Sequence, residues 1–115
     1  MALFGVARKD NADTVFSPDG TVSGECSPGV PECNAPSIQS TKEGSSNVFI
    51  NAIGAVRIGD AMKTHTHGCG CVNHSPTLST SSSTVFVNGR GIGRNTDLYG
   101  GDHPLISGST NVYAG

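Results

Sequence analysis

The chain has 115 residues, of which 35% are hydrophobic and 5% aromatic; that suits one domain spanning 1–115, too poor in apolar surface to hold without a staple. Sixteen glycines, six prolines and long Ser/Thr runs exclude a mainly helical fold, since an interior glycine costs about 1 kcal/mol and a proline about 3 kcal/mol relative to alanine. The net charge of −2, with seven basic residues that do not cluster, excludes the electrostatic footprint of a nucleic-acid or anionic-membrane binder.

The N-terminal "MALFGVARKD" carries charge from Arg8 onward, so it lacks the apolar core and cleavage site of a signal peptide, and synthesis in the cytoplasm is expected. No segment approaches the ~20 apolar residues of a membrane span. "GVARKDN", Gly5 to Asn11, is followed by a long polar stretch that holds Cys26 and Cys33. A protein made in the cytoplasm uses cysteines first for metal or as reduced thiols. A Cys26–Cys33 bridge is the alternative.

Next comes "SSNVFINAIGAVRIGD", Ser45 to Asp60, which returns as "SSTVFVNGRGIGRNTD", Ser82 to Asp97, 37 residues on. Each copy alternates Val, aromatic, apolar and Asn, turns, and resumes with a short apolar stretch ending in Arg, the pattern of a β-hairpin. Asn51 and Asn88 serve the turns. A third copy is split: "GVARKDN" matches the Arg-containing half and "GSTNVYAG", Gly108 to Gly115, the Val-aromatic half. Arg8, Arg57 and Arg94 are expected to offer their forks to carbonyls or to carboxylates such as Asp60 and Asp97 across units, with Asp10 standing in for the missing Asp of the first unit. Three units that each bury too little favour closure around a pseudo-threefold axis. Their loops then converge at one end and can bring Cys33, His65, His74 and His103 together.

Between the two full copies lies "THTHGCGCVNH", Thr64 to His74, with three of the four histidines and two of the four cysteines. Soft ligands at this density in a core-poor chain point to a metal staple. The preferred set is Cys33, His65, His67 and His74, a Cys-His₃ tetrahedron that suits zinc; alternate residues of an extended segment put His65 and His67 on one side. Substituting His103 for His67 gives an equal set, although His103 taken alone reads as a solvated loop side chain. Cys69 and Cys71 are too close to bridge each other and can replace a histidine or bind a second ion. Iron is the rival metal. The loop has no carboxylate after Asp60 and no His-Glu-x-x-His pattern, so no enzymatic activity is expected.

The units "NVFINAIGAVRIGD" and "TVFVNGRGIGRNTD" resemble the PAAR-repeat family. The resemblance covers nearly the whole chain, with Gly5-Val6-Ala7-Arg8, Gly54-Ala55-Val56-Arg57 and Gly91-Ile92-Gly93-Arg94 in place of the eponymous tetrapeptide. It implies an all-β, single-chain pseudo-threefold cone of β-hairpin repeats with long polar loops. It also implies a non-enzymatic, metal-stapled tip that caps the trimeric spike of a contractile phage tail or type VI secretion machine, one copy per trimer, and helps pierce a cell envelope. The family's spacing places a ligand eleven residues before the next Val-aromatic strand, where His74 stands before Val85, and another about five after the Asp, where His65 stands. Cys33 sits where relatives carry a His, while His103 is two residues from the matching position, Gly101. A small zinc-binding interaction module unrelated to a spike is the alternative.

Overall fold

Tight turns decide where this chain reverses. In a computed structural model, which describes residues 3–21, 33–67 and 72–115, Asn51 and Ala52 have φ of 53° and 67°, and Asn88 and Gly89 have 53° and 75°. Two consecutive left-handed residues make a type I′ turn, whose twist matches that of paired strands. These turns join β4 (Phe49–Ile50) to β5 (Ile53–Gly54) and β8 (Phe86–Val87) to β9 (Arg90–Gly91). The third hairpin is made by the split unit, β1 (Phe4–Gly5) pairing with β12 (Tyr113–Ala114). Its register is that of the others: Tyr113 lies opposite Gly5 as Phe49 lies opposite Gly54 and Phe86 opposite Gly91.

Backbone hydrogen bonds link the three units in a closed ring. The Ala7 N–H donates to Gly93 O at 2.9 Å, Gly93 N–H to Val56 O at 2.8 Å, and Val56 N–H to Ala7 O at 3.0 Å. A second ring runs through serines. Ser45, Ser82 and Ser109 are buried, and each hydroxyl accepts the backbone N–H groups two and three residues on, which fixes the entry into its Val-aromatic strand. Each then donates to another unit: Ser45 to Asn88 Oδ1 and Ser109 to Asn51 Oδ1 in the turns, and Ser82 to Gly115 O at the matching position of the split unit. The repeated glycines have a steric reason, since a Cβ at Gly5, Gly54 or Gly91 would run into the carbonyl oxygen of Ser109, Ser45 or Ser82.

Alternation along the repeat strands creates two apolar layers. Val6, Ala55 and Ile92 point into one with Val87, Ala114, Val48, Ile50 and Val112; Ala7 and Val56 point into the other with Val15, Met62, Leu78, Tyr99 and Leu105. At the third equivalent position of the second layer stands Gly93, where an added Cβ would meet the Leu78 side chain. The large residue fills the space the small one leaves.

The stretches expected as polar loops contain strands. β2 (Thr14–Thr21), β3 (Cys33–Ser40), β6 (His65–His67) and β7 (Val72–His74) form a four-stranded antiparallel sheet in the order β3-β2-β6-β7. β10 (Leu98–Tyr99) pairs with β11 (His103–Pro104). All named sheets are antiparallel and, among the described residues, there is no helix. The β2 alternation is hard to see in sequence because one of its inward positions is Ser17, 0% exposed and polar.

The arginines pair with carboxylates differently from the expectation. Arg57 and Arg94 bind Asp60 and Asp97 of their own units, each with Nε at 2.9–3.0 Å and with the backbone N–H on the same carboxylate. The first unit uses Asp13, not Asp10: Arg8 donates from N, Nε and Nη2 to Asp13, which is 1% exposed, whereas Asp10 is exposed at φ 55°. Across units, Arg8 and Arg57 donate from Nη1 to the side-chain carbonyls of Asn51 and Asn88 at 3.2 and 2.9 Å, and Arg90, a residue without an assigned role in the sequence, reaches Asp60 with its guanidinium. The equivalent Phe4 instead lies under Arg94, 5.6 Å from ring centroid to guanidinium carbon.

Candidate metal centre

The segments that leave the second apolar layer lead to three histidines. Val15 precedes Ser17, Met62 precedes His65, and His74 and His103 precede Leu78 and Leu105. Pairing of β6 with β7 sets His65 opposite His74, and the β10–β11 hairpin brings in His103. The ring centroids of His65 and His74 lie 4.3 Å apart, those of His65 and His103 5.4 Å, and those of His74 and His103 5.3 Å. One ligand atom from each falls within 4.8 Å of the others. His103 is 1% exposed, His65 7%, and His74 is half-buried.

Two polar groups outside the triad fix His65. Its Nδ1 lies 3.2 Å from the Lys63 carbonyl oxygen, which can only accept, so Nδ1 donates there and, in the neutral ring, Nε2 presents a lone pair. That Nε2 lies 2.8 Å from His74 Nε2 and 3.2 Å from the Ser17 hydroxyl. A tetrahedral ion with Zn–N bonds of about 2.0–2.1 Å sets ligand nitrogens about 3.4 Å apart. The His65–His74 pair is closer than that, at 2.8 Å, and all three ligand atoms lie within 4.8 Å of one another. Imidazoles converging from three strands, two of them buried and one half-buried, are donors suited to zinc, with iron as the nitrogen-tolerant rival. An open cleft of about 350 Å³, lined by His74, Ser75, Pro76, Gly100, Asp102 and His103, adjoins the centre.

Of the set read from the sequence, the structure brings His65 and His74 together. It adds His103, which the sequence alone gave as an alternative to His67 and otherwise as a solvated residue; the ring is instead among the most buried side chains. The backbone of Cys33 pairs with Thr21, and that of His67 with Gly20, so both flank the same end of β2. Their side chains lie outside the described part of the structure, as do Cys26, Cys69 and Cys71 and hence the Cys26–Cys33 bridge. Sequence reasoning missed Ser17 and Asp102. Asp102 had a visible signal, a carboxylate directly before a histidine in "GGDHP".

No protein-family model matches the chain, and comparison with curated proteins gives no match.

Proposed function

We propose that this chain is a non-enzymatic, metal-stapled conical tip that caps the trimeric spike of a contractile tail or injection machine and helps pierce the target envelope. The observation that carries the reading is a trio of exposed aromatics at equivalent hairpin positions: Phe49, Phe86 and Tyr113, 56%, 60% and 54% exposed. Large apolar side chains left in water at three repeat-related sites favour a partner that presents the same surface three times. The closed ring of backbone bonds supports a pseudo-threefold body, and extents of 45 × 28 × 21 Å support an elongated one, the pseudo-threefold cone expected from the repeats. Under this reading the repeat ring matches a trimer at the base, and the histidine centre lies toward the apex. It also covers terminal strand edges that otherwise invite aggregation.

Zinc, with iron as the alternative, ties the loops at the narrow end, and His65, His74 and His103 hold it. The rival reading is a small zinc-binding interaction module with another partner. A triple substitution, Phe49→Ser, Phe86→Ser and Tyr113→Ser, separates them by co-elution with the trimeric spike protein of its own machine. Under the tip reading the triple variant stays folded and zinc-loaded but loses spike binding by at least 100-fold. Unchanged binding by that variant rules the aromatic base out.

A further inference from the structure

The strongest feature left over is the carboxylate of Asp102. It belongs to the turn between β10 and β11, where Gly100 and Gly101 take φ of 58° and 80° and the Asp102 N–H returns to Tyr99 O at 3.2 Å. The turn is anchored again by the Gly101 N–H, which donates to Ser79 Oγ at 3.0 Å. This fixes the residue before His103, and Asp102 Oδ1 lies 2.5 Å from His103 Nδ1. The ring is 1% exposed while the carboxylate side chain is 59% exposed.

We propose that Asp102 is a positioning residue for the metal centre: it holds the His103 proton on Nδ1 and so presents Nε2 to the ion. The inference rests on the metal reading above. A neutral imidazole has one N–H and one lone pair, and an anionic acceptor against Nδ1 draws the N–H there. Nε2 is then left as the ligand atom, and the carboxylate increases its basicity. His65 has the matching arrangement with the Lys63 carbonyl as acceptor. The Nδ1 atoms of His65 and His103 are thus each engaged by an oxygen, one by a backbone group no substitution removes, the other by a replaceable side chain.

Outer partners of metal-bound histidines contribute about 10–100-fold in affinity, and the solvent exposure of Asp102 selects the lower end. The test is zinc titration against a competing chelator on the full chain, as wild type, Asp102→Ala and Asp102→Asn, with long-range proton–nitrogen NMR of the His103 ring. Asp102→Ala is expected to bind zinc about 10-fold more weakly and to lose the Nδ1–H signature of His103 while that of His65 persists. Asp102→Asn, whose amide oxygen still accepts, is expected to restore part of both. Equal zinc affinity in wild type and Asp102→Ala overturns the positioning role alone. Weaker binding with the His103 signature unchanged also overturns it, because the loss then has a different origin. A wild-type chain that takes up no zinc or iron overturns the metal reading and this inference with it.

Discussion

Residue by residue, the molecule is held by pairs local to each unit that the closed ring reinforces from a neighbouring one. Asp60 shows this. Burial pushes its carboxyl pKa up, but hydrogen bonds and charge from Arg57, with a further bond from Arg90, outweigh burial and hold it below the usual carboxylate value. The unfolded chain therefore binds the proton first as pH falls. Asp60's contribution is full above the ordinary carboxylate range and is lost as pH drops through its lowered folded value. Asp60→Asn is expected to cost about 2–3 kcal/mol at neutral pH, less than the ~3–5 kcal/mol of a fully buried pair because Arg90 is 41% exposed. Denaturant titrations at neutral and acid pH check both the loss and its fading toward acid. Tyr99 makes the opposite case. Burial, and then Asp60 and Asp13, raise its pKa, so the phenol stays neutral, and among the described residues its hydroxyl has no hydrogen-bond partner. Removing an unsatisfied buried hydroxyl relieves a desolvation cost of roughly 1–3 kcal/mol. Tyr99→Phe is therefore expected to raise the thermal midpoint, and a lowered midpoint contradicts that account.

At the scale of elements, the hairpins were legible and the sheet was not. Val-aromatic-apolar-Asn followed by glycine or alanine announced β-hairpins with Asn51 and Asn88 in their turns, and both asparagines adopt the left-handed conformation that this residue tolerates. Ala52 does so at a cost, because an L-residue with a Cβ pays about 1–2 kcal/mol there. Ala52→Gly removes that strain and loses about 0.4–1 kcal/mol through the more flexible unfolded chain. A net gain of about 0.5–1 kcal/mol is expected, with Gly89→Ala shifting stability the other way; equilibrium unfolding of both variants measures it. The four-stranded sheet escaped notice because its inward positions include serine and histidine, which hide the period-2 pattern. The arginine partners were half legible. The Arg-x-x-Asp spacing was present in two units, but Asp13 replaces it in the first through an insertion that brings Asp10 and Asn11 into positive φ.

For the whole molecule, the repeat that could be read in sequence accounts for the ring and for the convergence of His65, His74 and His103. Which histidine completes the triad could not be read, because His103 reaches the centre through a turn two residues out of step with the repeat. A body with a threefold-like ring at one layer and, among the described residues, one histidine cluster beyond it carries a strict expectation of stoichiometry. Under the proposed tip function, one chain is expected on one trimer and one ion in one chain. Native mass spectrometry of the zinc-loaded chain mixed with the trimeric spike of its own machine tests both at once. The account predicts a single species of three spike chains, one copy of this chain and one metal ion. Three copies per trimer, or a stable complex whose tip carries no metal, would contradict it.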